Sequence, residues 1–137
     1  MIPFVAGVIF TCINSVPINL DRIIQIESTG NAKAFNSSSR ARGIFQITPI
    51  VLQDWNNLHK KQYGLEDLFK KEVSLKIAIW YLQDSIPILL SKKNQPVTLR
   101  NVLVAWNAGI KYVNPQRRIP KETEKFLEKY NAYSPKL

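Results

Sequence analysis

The chain has 137 residues, 45 % apolar and 21 % charged, which is enough material for one domain with a buried core. A single cysteine, Cys12, excludes an internal disulfide framework and a Cys-based metal cluster, and a single histidine, His59, leaves any Ser-His or Cys-His triad only one possible base. The net charge is +9, and thirteen of the nineteen basic residues but only five of the ten acidic ones fall after Leu68, a field that favours a polyanionic partner. The basic residues come as scattered pairs (Lys60-Lys61, Lys70-Lys71, Lys92-Lys93, Arg117-Arg118) with no nucleic-acid module around them. A solvated helix face accounts for them equally well, and nucleic acid is not expected as a partner.

Residues 2–13, IPFVAGVIFTCI, form a continuous apolar run too short to span a bilayer comfortably. The run has the length of a signal-peptide core, with room for a cleavage region in INSVPINL, yet no Lys or Arg precedes it. Residues 1–18 are therefore read either as an export segment or as a buried first helix, ahead of one domain over residues 19–137.

Asn19 is placed to cap a helix over residues 20–29, with Asp21 in the first turn where the helix dipole favours an acid. Leu20, Ile23, Ile24 and Glu27 fall at i, i+3, i+4 and i+7, so an apolar stripe ends in a carboxylate. Such a Glu is either paired with a cation, Arg40 or Arg42, or held where its proton matters. Gly30 supplies a left-handed stop. Residues 31–42 are dense in Ser and Asn without periodicity and read as a loop.

Thr48 then caps a helix with Pro49 at its first position, running to about residue 57; His59 follows in a polar stretch and reads as a solvated loop histidine. A turn at Gly64 leads to the longest element, residues 70–85, whose middle LKIAIWYL is apolar on nearly every side. This is the expected central buried helix, ended or kinked at Pro87. Thr98 caps a helix with the stripe Leu99, Val102, Leu103 and Trp106, stopped at Gly109. Pro120 opens a last helix in which Phe126, Leu127 and Tyr130 pack. The class is all-α, with at most a short extended segment at GIFQIT.

Four motifs in these elements carry a family resemblance. ESTGN, a Ser-rich loop, and RARGIFQITP resemble the soluble lytic transglycosylase domain, related in fold to goose-type lysozyme. AWNAG resembles that family's Ala-Tyr-Asn-Ala-Gly, and IPKETEKFLEKY its closing Pro-x-Glu-Thr helix. The matches come in family order over about residues 20–130. The resemblance implies a lysozyme-like helical domain that cleaves peptidoglycan glycan strands between MurNAc and GlcNAc. It places Glu27 on the sole catalytic acid/base and Gln46 on a glutamine lining the glycan cleft. Ser28, Phe45 and Asn107 fall on motif positions near the site, and the family's loop serine corresponds to Asn36 or Ser37. Trp106 stands where a tyrosine is usual and is read as a wall of the cleft. Phe126 stands where a second aromatic hydroxyl is usual and is read as core, with Tyr112 or Tyr130 as possible substitutes.

The chemistry agrees with those residue types. Glycosidic cleavage needs a protonated carboxyl at neutral pH, which an apolar surround favours for a Glu. Sugar binding needs amide and hydroxyl donors and aromatic faces, available from Gln46, Asn107 and Trp106. Asp54, Glu66, Asp67, Glu72, Asp84 and Glu122 are the candidates for a second carboxylate, each with a capping or pairing role as the competing reading. One histidine and no acidic cluster give no metal-ligand spacing, and no cofactor is expected. The expectation is a monomeric, periplasmic or extracellular lytic transglycosylase forming 1,6-anhydroMurNAc, opening the wall locally for a secretion, conjugation or phage apparatus. The alternatives are a muramidase on the same fold and a non-catalytic wall-binding or assembly module.

Overall fold

The computed structural model describes the backbone of residues 4–5 and 8–13, and backbone with side chains over residues 16–133. The chain divides into two compact units, one formed by residues 1–22 with 82–137 and the other by residues 23–81.

The first unit opens with three antiparallel strands in the order β1 (Phe4–Val5), β2 (Val8–Ile13) and β3 (Val16–Asn19). In register, Phe10 pairs with Asn19 and Cys12 with Pro17. The described part of residues 1–18 is thus extended rather than a first helix, as suits a run of Val, Ile, Phe and Thr. Helix α1 (Leu20–Glu27) follows β3 directly, and Asn19 caps it as expected, its Oδ1 accepting from the Arg22 backbone N–H at 3.2 Å. The Asn19 N–H donates to the Tyr130 hydroxyl (3.0 Å), and Arg22 Nη1 donates to the Tyr130 carbonyl (3.1 Å), so this junction is fastened to helix α6 (Lys121–Ala132). Helix α5 (Leu99–Ala108) buries Val102, Leu103, Val104 and Ala105 against β3, α6 and helix α4 (Ile86–Lys92). Thr98 Oγ1 accepts from the Asn101 N–H at 3.1 Å, and Gly109 ends α5 at φ 104°.

The second unit holds helix α2 (Pro49–His59), a 3₁₀ turn at Leu65–Phe69 and helix α3 (Lys71–Trp80). Thr48 sits in the cap position of α2 with Pro49 following, but its hydroxyl makes no capping bond. His59 lies on the last turn of α2 rather than in a loop. Its ring stacks on Trp55 at 3.6 Å, and Nδ1 donates to the Trp55 carbonyl at 3.0 Å. Trp55 in turn meets Trp80 edge-on at 5.5 Å.

Pro87 does not end the long helix. The helical stretch runs over Lys71–Lys92, 22 residues, and is long and apolar enough to cross a membrane by length and composition; its apolar 18-residue window has mean hydropathy 1.3, and half of that window is buried. The accommodation is a π-helical turn at Tyr81–Ser85. Proline lacks the N–H and its ring would meet the carbonyl four residues earlier; the wider turn opens the ladder there, so the chain continues as α4. Ile77, Ala78, Leu82, Ile86 and Leu90 are all at most 1 % exposed, so the stretch carries a core face on both sides of the π-turn, while Lys76, Asp84 and Ile88 are exposed.

Candidate functional site

The site is assembled in the second unit from the end of α1 and the loop that follows. Past Glu27 the helical bonding persists for two residues, Ser28 N–H to Ile24 O (2.9 Å) and Thr29 N–H to Gln25 O (3.3 Å). The backbone then turns left-handed at Thr29 (φ 51°) and Gly30 (φ 84°). The pattern assigns that stop to Gly30 alone; threonine shares it, with its hydroxyl donating to the Ser28 carbonyl at 2.6 Å. Ser28 Oγ is buried and donates to the Ile44 carbonyl at 2.8 Å, with a longer 3.2 Å approach to Ile24 O, while accepting from the Gly30 N–H at 3.1 Å. The serine therefore links helix and loop.

The loop folds on itself through two bridges, Phe35 with Arg42 and Arg42 with Ile47. Gly43 takes φ 86°, and a Cβ there would fall on the Leu68 carbonyl oxygen and within 2.7 Å of Ser74 Oγ. Only glycine fits. Gln46 is left-handed as well (φ 54°), and its Nε2 donates to both Ala34 O (3.1 Å) and Gly43 O (3.0 Å). Both partners are acceptors only, so the orientation of the amide is fixed and Oε1 remains as its hydrogen-bonding atom for a ligand.

These turns border an open cleft of about 560 Å³. Glu27, Ser28, Thr29, Asn36, Ser37 and Gln46 line it, together with Ile26, Ala34 and Phe35. Glu27 is the one ionisable residue of that lining, and it is half-buried. Nearby in the loop, Arg42 Nη1 donates to the Arg40 carbonyl at 2.8 Å and its guanidinium lies 4.9 Å from the Phe35 ring. A family model described as the transglycosylase SLT domain matches residues 14–129. The chain belongs to the SLT transglycosylase family.

The SLT match runs through all four motifs, and the all-α, lysozyme-like fold is that of this family, whose activity is on peptidoglycan. No curated protein matches the chain. Within the SLT domain, the residues implied by resemblance separate into three groups. Glu27, Ser28, Ser37 and Gln46 come together on one cleft, and Asn36, the alternative to Ser37, lines it too. Phe45 does not; it is fully buried with Ile44 and Ile47, so the apolar side chains of GIFQI hold the turn from behind while Gln46 alone faces outward. Trp106 and Asn107 lie at the end of α5 in the other unit. Trp106 is half-buried; Asn107 is exposed, with Oδ1 accepting from the buried Thr123 hydroxyl at 2.8 Å. That bond joins AWNAG to the Pro-x-Glu-Thr segment.

Phe35 is the residue that motif reasoning passes over. It is 51 % exposed on the cleft wall, and its signal was an aromatic in an otherwise Ser- and Asn-rich loop. Phe126 and Tyr130 are core, both 3 % exposed, and the Tyr130 hydroxyl is engaged by Asn19. Among the other carboxylates, Asp54, Glu66, Glu72, Asp84 and Glu122 are exposed. Asp67 accepts from the Gly64 N–H (2.8 Å) and pairs with Lys70 (3.2 Å), which together hold its pKa below the ordinary value. At the start of the π-turn, burial pushes the Tyr81 hydroxyl above its ordinary pKa, with the Asp54 charge adding, so it stays protonated across the physiological range.

Proposed function

We propose that this SLT domain is a catalytically competent lytic transglycosylase in which Glu27 serves as both acid and base. The supporting observation is the lining of the α1 cleft: one carboxylate, with amide, hydroxyl and aromatic groups around it and no second acid. Hydrolytic glycosidases ordinarily set two carboxylates across the scissile bond, the second acting as nucleophile or activating water. With one carboxylate, the group that closes the reaction comes from the substrate.

Glu27 first donates its proton to the glycosidic oxygen, the bond from the MurNAc anomeric carbon breaks, and the GlcNAc 4-hydroxyl leaves. The acetamido group of MurNAc shields the electron-poor carbon. The Glu27 carboxylate then takes the proton of the MurNAc 6-hydroxyl as that oxygen bonds to the anomeric carbon, which regenerates the acid and yields the 1,6-anhydro sugar. Internal attack avoids the entropy of fixing a water. Gln46 Oε1 accepts from a sugar hydroxyl or acetamido N–H, Ser28 positions Glu27 against the loop, and Phe35 offers a ring face to a sugar. Asn107, oriented by Thr123, and Trp106 supply further glycan contacts.

The enzyme acts as a monomer on periplasmic or extracellular peptidoglycan, where the +9 charge favours retention on an anionic wall, and opens that wall locally for a secretion, conjugation or phage apparatus. Glu27→Gln tests the assignment: the amide keeps the shape but cannot cycle a proton, so lysis of purified wall falls about a thousandfold with thermal unfolding unchanged. A Glu27→Gln protein retaining more than about a tenth of the activity removes Glu27 from the chemistry.

A further inference from the structure

We propose that the unit formed by residues 1–22 and 82–137 carries a second site, which binds a phosphate group. It is a cavity of about 570 Å³ lined by Gln95, Arg100, Asn101, Tyr112, Arg117 and Arg118, among others, and no acidic residue is in that lining. Among the described residues none of the three guanidinium groups is ion-paired. Three like charges around one concavity raise its potential, which a bound anion lowers.

The walls are built rather than incidental. The Arg117 guanidinium lies 5.5 Å from the Tyr112 ring centroid, a cation–π contact that limits its freedom. Its backbone N–H donates to the Asn114 carbonyl (3.0 Å), and Gln116 N–H donates to Asn114 Oδ1 (2.9 Å), which closes a tight turn. On the facing segment, Asn101 Nδ2 donates to the Pro96 carbonyl at 2.9 Å and fastens the loop before α5 to its first turn. The charge is all arginine here, whereas the pairs at residues 60–61, 70–71 and 92–93 are lysines. Arginine forks match oxyanion geometry, and their placement on two separate segments selects among oxyanions. A carboxylate has two oxygens and one charge, enough for one fork. A phosphate has more oxygens and up to about two charges, so it can meet forks from both segments.

The site shares no residue with the Glu27 cleft, and its proposal does not rest on the reading of that cleft. Its test is an NMR titration of the whole chain at constant ionic strength with inorganic phosphate, with diglyceryl phosphate as a diester, and with acetate. Phosphate produces saturable shifts at residues 112–119 and at the arginine side-chain N–H groups. Arg117→Gln with Arg118→Gln weakens this binding about tenfold or more. Lys92→Gln with Lys93→Gln, the same change in charge, leaves it within about twofold. Arg100→Gln, on the other wall, weakens binding in the same direction should the double variant lose its fold. Saturation by the diester as well assigns the site to a phosphodiester-linked polymer; saturation by inorganic phosphate alone assigns it to a terminal or free phosphate. Equal affinity for acetate, no saturation by either phosphate compound, or an equal loss in the lysine variant overturns the proposal.

Discussion

Ser28 Oγ donates a 2.8 Å hydrogen bond to the Ile44 carbonyl oxygen, a buried link across sixteen residues of chain. It joins the residue after Glu27 to the turn that presents Gln46, so the acid and the amide of the cleft are set by one contact. Ser28→Ala leaves that carbonyl buried without its partner, a loss of about 1–3 kcal/mol in urea unfolding. Wall lysis falls as well, because Glu27 is no longer held against the loop. Unchanged stability would show that the hydroxyl does not fasten the two segments.

Two glycines separate backbone strain from steric exclusion. Gly43 and Gly30 are both left-handed, but a Cβ at Gly43 runs into the Leu68 carbonyl, while one at Gly30 meets nothing within 4 Å. Gly30→Ala therefore costs only the backbone term, about 1–2 kcal/mol. Gly43→Ala costs that and the overlap, about 3 kcal/mol or more in total. Equal melting temperatures for the two variants would contradict the close packing of the turn on residue 68.

Gln46 gives a pH-dependent test. In Gln46→Glu the introduced carboxyl faces two carbonyl oxygens, those of Ala34 and Gly43, where the wild-type amide donates to both. Ionised, it repels them; protonated, it can donate to one. Its folded-state pKa is thus raised above the unfolded value, so the variant is most stable at acid pH and loses stability as pH rises through that pKa. Melting temperatures between about pH 4 and 8 check this, and a variant as stable at neutral as at acid pH would remove the two amide bonds from the account.

The helices of both units were legible because their signals are local. Asn19, Thr98 and Gly109 act through their own residue types, and the Leu20–Glu27 stripe shows in the spacing. Ser28 and Phe45 read differently from their motif positions, since what decides them is which atom lies opposite in space: the Ile44 carbonyl for one, the core for the other. Pro87 followed the same logic, because a wider turn upstream could absorb a residue that local rules treat as a breaker. The N-terminal run was ambiguous for a different reason. Apolar runs of that length suit a helix, a strand or an export core alike, and only pairing between strands distinguishes them.

The burial of β3 yields a prediction for residues 16–19. Ile18 is fully buried in β3, and the family match already begins at residue 14. Ile18→Ala should cost about 2–5 kcal/mol. Mass spectrometry of the exported protein should then find any cleavage before Val16. A mature protein that starts after Asn19 and stays folded and active would contradict the role of β3.

The central claim, a single carboxylate completing the reaction through the substrate's own hydroxyl, is tested most directly by the product. Purified peptidoglycan digested by the whole chain in oxygen-18 water is separated and weighed by mass spectrometry. The mechanism predicts muropeptides ending in 1,6-anhydroMurNAc, with no label taken up and none formed by Glu27→Gln. Reducing-end MurNAc carrying the label as the main product would mean that water attacks the anomeric carbon, and would make the protein a muramidase instead.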